Sequence, residues 1–165
     1  MLFQGSIREN LDPFVEYSDE RVWAALERCA LRAVVDALPG KLEYPVQEGG
    51  ANLSLGQRQL LCLGRALLKQ SRVLCIDEAT ASVDAATDRL VQDTIAREFP
   101  GATVLTVAHR IATVMGADLI LVLDQGRVVE VGSPSELLAN SESMFARLAA
   151  SSATTKEQVD VLKIY

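Results

Sequence analysis

Three observations predict an α/β fold: a helical first part followed by a mostly parallel sheet with flanking helices. Up to about Leu67 the apolar residues recur at helical spacing. The runs Val73-Leu74-Cys75-Ile76, Val104-Leu105-Thr106-Val107 and Leu119-Ile120-Leu121-Val122-Leu123 are continuous and β-rich, as suits strands buried on both faces of a parallel sheet. A helical pattern separates the first two runs, which makes a βαβ unit. With 165 residues, 49% of them hydrophobic, the chain can bury one sizeable core and reads as one domain or part of one.

The elements follow in order. Between Ser18 and Leu38, the spacing of Val22, Ala25, Leu26, Cys29, Ala30, Ala33 and Val34 predicts one amphipathic helix, ended by Pro39-Gly40. A Gly-rich polar loop, Gln47 to Asn52, precedes a capping-box pair, Ser54 and Gln57, that opens a helix with the stripe Leu60, Leu63 and Leu67. After the first β-rich run, Asp84 serves as N-cap of a helix carrying Leu90, Val91, Thr94, Ile95 and Phe99. The turn Asp124-Gln125-Gly126-Arg127 joins the third run to Val128-Val129-Glu130-Val131 as a hairpin. Ser133-Pro134-Ser135-Glu136 then starts a final helix with proline in its first turn. The expected organisation is a helical subdomain over 1–70, an α/β core over 71–150 and a flexible polar tail over 151–165, with no internal repeat.

Composition removes several classes of function. A net charge of -6 with scattered basic residues argues against nucleic acid or an anionic membrane surface as partner, since both need clustered Lys and Arg. Cys29, Cys62 and Cys75 are odd in number and lack C-x-x-C spacing, so they read as reduced core thiols in a cytosolic setting. The N-terminus has no signal-peptide pattern, and the apolar runs fall short of the about 20 residues that span a bilayer. No direct membrane insertion is expected; the chain is soluble and cytosolic, or rides on a membrane protein.

In open α/β sheets, ligands gather outside the carboxyl ends of the strands. Asp77, Glu78 and His109 all fall just after predicted strands. A carboxylate at Asp77 can hold Mg²⁺ through water while Glu78 orients or deprotonates an attacking water. Alone, the two acids read as loop residues and His109, the only histidine, as a structural hydrogen-bonder. The small, polar stretch Ala79 to Asp84 and the company of all three favour the functional reading. Ser54 to Gln57 alone reads as an ordinary helix cap. The side-chain-poor approach around Gly49-Gly50 and Gly56, with the helix dipole, favours an anion there.

Four of these segments occur in an order and spacing that resemble ATP-binding-cassette (ABC) ATPases. Leu53-Ser54-Leu55-Gly56-Gln57-Arg58-Gln59 resembles their signature motif, Val73 to Glu78 their Walker B strand, Ala81-Ser82-Val83-Asp84 their D-loop, and Ala108-His109-Arg110 their switch histidine. The segment from Leu2 to Pro13 resembles the second nucleotide-binding domain of the C subfamily, the multidrug-resistance-associated exporters. The resemblance covers about residues 1–150. It implies ATP and Mg²⁺ as cofactors, Asp77 assisting the metal, Glu78 as general base and His109 on the γ-phosphate. It also implies Ser54, Leu55, Gly56 and Gln57 at the nucleotide of an opposing domain, with Ser82 and Asp84 at the dimer interface.

Two departures matter. Leu55 stands where the family usually has Gly, which restricts the backbone. No G-x-x-x-x-G-K-[ST] occurs; the one Gly-Lys pair, Gly40-Lys41, is followed by Leu42. The resemblance therefore implies a truncated P-loop-NTPase-type domain, partnered by an opposing nucleotide-binding domain and by transmembrane domains, at the cytoplasmic face of a membrane. Its function would be ATP hydrolysis coupled to export of organic anions or amphipathic compounds. The first rival is a catalytically inert truncated product that only pairs with another cassette domain. The second is a chromosome-maintenance or repair ATPase, against which the acidic balance and the Glu9-Asn10-Leu11-Asp12-Pro13 segment speak.

Overall fold

The computed structural model describes residues 1–77, 85–108, 114–152 and 161–164. The chain divides into two compact units, residues 1–71 with 80–101 and residues 72–79 with 102–165.

In the first unit, β1 (Gly5–Ser6) and β2 (Pro45–Val46) form a short antiparallel pair. Ser6 opens α1 (Ile7–Leu11), its hydroxyl accepting from the Glu9 amide at 3.1 Å. α2 (Asp19–Arg28), α3 (Arg32–Asp36), α4 (Leu55–Leu68) and α5 (Ala85–Glu98) follow. α4 is the axis, touching α1, α2 and α5 and burying the predicted stripe Leu60, Leu63 and Leu67 together with Leu61 and Leu68. Gly64 lies where α4 passes its neighbours: a Cβ there would sit 3.0 Å from Leu11 Cδ2 and 3.8 Å from Cys29 Sγ. Close packing thus offsets the ~1 kcal/mol that a mid-helix glycine costs.

The single helix predicted from Ser18 to Leu38 is two helices. Ala30 adopts φ 57, its amide donates to Glu27 O at 3.0 Å and the Leu31 amide donates to Leu26 O at 2.8 Å. That is a Schellman ending with alanine in the place glycine usually takes. The turn is held because it buries both Leu26 and Leu31, a contact that helical periodicity does not register.

In the second unit, β3 (Val73–Asp77), β4 (Thr103–Ala108), β5 (Leu119–Asp124), β6 (Arg127–Gly132) and β7 (Val161–Ile164) form one sheet in the order β3-β4-β7-β5-β6. All four predicted strands and the β5–β6 hairpin are present, the turn holding Gln125 at φ 46 and Gly126 at φ 75. β3 and β4 pair in parallel, as the βαβ pattern requires. The sheet is nonetheless mixed rather than mostly parallel, because β7 runs antiparallel to both β4 and β5 and fills the space between them. Residues 151–165, expected as a polar tail, thus contain the last residues of a helix and a central strand.

Burial on both strand faces is also corrected. β5 alternates, with Ile120 and Val122 fully buried, while β3 is an edge strand whose Val73, Cys75 and Asp77 are exposed. Of the three expected core thiols, Cys29 is buried, Cys62 half-buried and Cys75 exposed. Burial, helped by Glu98, pushes the Cys29 thiol up to about 12, which leaves it inert.

The helix after Ser133 is split as well, into α6 (Pro134–Ala139) and α7 (Met144–Ser152), where Asn140 leaves helical geometry. Phe145, Leu137, Ile120, Val122, Val114 and Ala117 form the core of this unit. Glu130 on β6 starts α7: its carboxylate accepts from the Met144 amide at 2.6 Å, the Phe145 amide at 3.0 Å and the Ser143 hydroxyl at 2.9 Å. Burial alone would raise this carboxyl's pKa, but those donors and the nearby Arg147 hold it below the ordinary glutamate value. Among the described residues no helix is long and apolar enough to cross a membrane.

Candidate functional site

In the first unit the candidate site is the start of α4. The loop before it is shaped by Gly49 at φ 65 and Gly50 at φ 73. A Cβ on Gly50 would lie 2.8 Å from Arg58 Cδ and 2.9 Å from Leu2 Cδ1, so conformation and space both demand glycine. Asn52 braces the loop, accepting from the Gln47 amide at 2.9 Å and donating to Pro45 O at 2.8 Å. Arg58 Nη1 donates to Gly49 O at 3.3 Å, which puts a cationic side chain behind the turn.

The predicted capping box forms. Ser54 Oγ accepts from the Gln57 amide at 3.2 Å, and the Ser54 amide donates to Gln57 Oε1 at 2.9 Å. The amides of Leu55 and Gly56 fall in the first turn, where no helical carbonyl lies four residues back to receive them. Ser54 is exposed, Leu55 and Gln57 half-buried, and Gly56 buried without a side chain. The Ser54 hydroxyl uses its oxygen in the cap and retains its proton as a donor. Two amides, one hydroxyl and the positive end of a 14-residue helix are groups with which such a turn could receive an anion.

In the second unit, Asp77 ends β3, opposite Val107 in the parallel ladder, with its side chain exposed. Such a carboxylate can bear a hydrated cation at a strand's carboxyl end. Among the described residues no group of three or more His, Cys, Asp or Glu gathers into a metal cage, so Asp77 contributes one charge and not a complete site. Glu78, Ser82, Asp84 and His109 lie outside the described residues.

Sequence reasoning missed two buried polar residues near the start of the chain, one of which is tied to α4. Asn10, fully buried, donates to Phe3 O at 2.9 Å and Ser6 O at 3.0 Å and accepts from the Phe3 amide at 3.0 Å. Arg65 Nε donates to Asn10 O at 2.7 Å, a link across 55 residues that no local pattern signals. Asp12 likewise organises its loop, accepting from the Glu16 and Tyr17 amides and from Arg8 Nη1.

Comparison with known proteins decides the setting of these residues. The family model described as ABC transporter matches residues 1–81. The chain is 58% identical over 145 residues to ATP-binding cassette sub-family C member 2 of Rattus norvegicus, an overlap covering 88% of the chain and 9% of that protein. It is 52% identical over 149 residues to ABC transporter C family member 7 of Arabidopsis thaliana, covering 90% of the chain and 10% of that protein. A Drosophila melanogaster protein described as a probable multidrug resistance-associated protein is 54% identical over 143 residues, 87% of the chain and 10% of its own length. The chain thus spans about a tenth of the length of these curated relatives, two of which are described as C-family ABC proteins. Among solved structures, a bacterial Atm1-family ABC exporter with ATP bound superimposes with a TM-score of 0.82 at 32% identity, over 95% of this chain and 27% of that one. The α/β architecture is that of an ABC exporter ATPase.

Proposed function

We propose that the chain is the C-terminal portion of a nucleotide-binding domain from a C-subfamily ABC exporter, which binds and hydrolyses ATP to drive export of organic anions or amphipathic compounds. The observation that carries this reading is the start of α4, where the first-turn amides and the Ser54 hydroxyl stand in the segment that matches the family. In this reading Ser54, Leu55, Gly56 and Gln57 face the γ-phosphate of an ATP held by an opposing domain. Asp77 supports Mg²⁺, Glu78 accepts the proton of the attacking water, His109 contacts the γ-phosphate, and Ser82 and Asp84 meet the partner. Transmembrane domains complete the exporter, with this chain at their cytoplasmic face. The opening Leu2 to Pro13 resembles that of the second nucleotide-binding domain, and Cys75-Ile76-Asp77-Glu78 resembles the tenth multidrug-resistance-associated protein.

A second reading is favoured by one observation: the 165 residues contain no phosphate-loop motif. The chain then pairs with an intact cassette domain without turning over ATP of its own. One experiment tests both. Calorimetric titration of the isolated chain with Mg·ATP should show no micromolar binding, since the lysine and amide cradle for the β- and γ-phosphates are lacking. Association with an intact ABC nucleotide-binding domain should nevertheless appear on adding ATP, and Ser54→Glu should weaken it without unfolding the chain. Association indifferent to ATP, or to Ser54→Glu, refutes the assignment of this turn.

A further inference from the structure

Gly56 is buried in the first turn of α4, and its backbone is ordinary helix, so conformation does not require glycine there. Space does. A Cβ at this position would overlap the Thr87 γ-methyl, while lying 3.4 Å from Thr87 Cβ and 3.6 Å from Thr87 Oγ1. The obstruction is one methyl group, on the third residue of α5. Helices at such separation behave as rigid surfaces, and a methyl seated on bare backbone transmits displacement without slack.

We propose that Thr87 is the positioning residue for the phosphate-facing turn Ser54–Gln57: its γ-methyl, seated on Gly56, sets how far the first turn of α4 can advance. The proposal rests on the reading of that turn given above. It adds that glycine at 56 is demanded by Thr87 as well as by any ligand. Thr87 stands three residues beyond Asp84, so in sequence the contact links the turn that serves the opposing ATP to the exit from the Asp77-Glu78 strand. A shift of the first turn of α5 moves the Leu55 and Gly56 amides with it.

The test uses the full chain, an intact ABC nucleotide-binding domain as partner, and ATP titration of their association. Thr87→Val keeps the γ-methyl and should leave the half-saturating ATP concentration within about twofold, whereas Thr87→Ser removes it and should raise that concentration about tenfold, as loss of positioning does. Thermal unfolding supplies the second arm. Gly56→Ala should lower the melting temperature by several degrees through overpacking, and adding Thr87→Ser should recover most of the loss. The proposal is overturned if Thr87→Ser leaves the titration unchanged, if Thr87→Val is as harmful as Thr87→Ser, or if the Gly56→Ala loss is indifferent to residue 87. A parent chain that shows no ATP-dependent association defeats the phosphate-facing reading itself. A parent that associates while ignoring both Thr87 variants defeats the positioning role alone.

Discussion

Among the described residues, three helices start with the same local device, and only one of them is suited to receive an anion. α1, α4 and α6 each begin with a serine whose hydroxyl accepts from the amide three residues on, while the side chain there bonds back to the serine amide. In α1 and α6 that partner is Glu9 or Glu136, whose carboxylate neutralises the positive end of the helix. The Ser133 amide and hydroxyl hold the Glu136 carboxyl below its ordinary pKa, so the charge persists at neutral pH. In α6 the first helical residue is also Pro134, which has no amide hydrogen to offer. In α4 the partner is Gln57, neutral, and the helix runs 14 residues against 5 and 6. A cap that closes a helix and a cap that leaves it open to a ligand thus differ by one charge, to which α6 adds a proline. α7 is the contrasting fourth case, for its cap comes from Glu130 on another element.

That contrast can be broken at several points. The largest effect is expected at Glu130, because Glu130→Ala strands the Met144 and Phe145 amides and the Ser143 hydroxyl at the core of the second unit. A loss of about 2–3 kcal/mol in urea unfolding is expected, near the upper range for removing a buried hydrogen-bond partner. The sign of the pH dependence follows from the depressed pKa. Glu130's contribution is complete above the ordinary value of 4.5 and is lost as pH falls through its lower folded value. Unfolding midpoints of Glu130→Ala and parent should therefore converge on acidification below that value; a gap that stays constant refutes the cap.

Next in size, Gln57→Glu turns the α4 cap into a copy of the other two. It should weaken ATP-dependent association by about tenfold while shifting stability by less than ~0.5 kcal/mol. Glu136→Gln, the reverse exchange at α6, should create no nucleotide-dependent association, because Pro134 still withholds an amide. Appearance of such association would show that charge alone governs the difference. Removing a closed cap by Ser133→Ala should cost about 1 kcal/mol of stability in urea unfolding and leave association untouched. Smallest of all, Ala30→Gly should raise stability by about 0.5 kcal/mol, since it relieves a left-handed alanine but loosens the unfolded chain. A destabilised Ala30→Gly protein would mean that the turn between α2 and α3 is not strained.

The serine starts of α4 and α6, the strands β3 to β6 and the tight turn were legible because each is decided within a few residues. Ser54 with Gln57, Ser133 with Pro134 and Glu136, and Gln125-Gly126 at their positive φ values all carry their partners beside them. The stop at Ala30 was not legible, since its alanine carries none of glycine's signal and its reward is the burial of Leu26 and Leu31. For the candidate site, Ser54 to Gln57 could be read from the sequence, and Asp77 could be placed at a strand end. Thr87 could not, because nothing in an Ala-Ala-Thr-Asp stretch announces that its methyl lies on a glycine 31 residues earlier.

By itself, then, the sequence determined the strands β3 to β6, the helices α4 and α5, the tight turn between β5 and β6 and the serine caps of α4 and α6. These depend on hydrogen bonds and steric preferences among near neighbours, which composition and spacing encode. The tertiary structure alone decided that β7 separates β4 from β5 in the reverse direction, that β3 lies at an edge with Val73 and Cys75 exposed, and that Glu130 starts α7. A strand's backbone donors can be met by any strand running either way, and a buried helix start by any acceptor the fold delivers. Which one is chosen depends on the whole chain's packing, and no window of residues contains that choice.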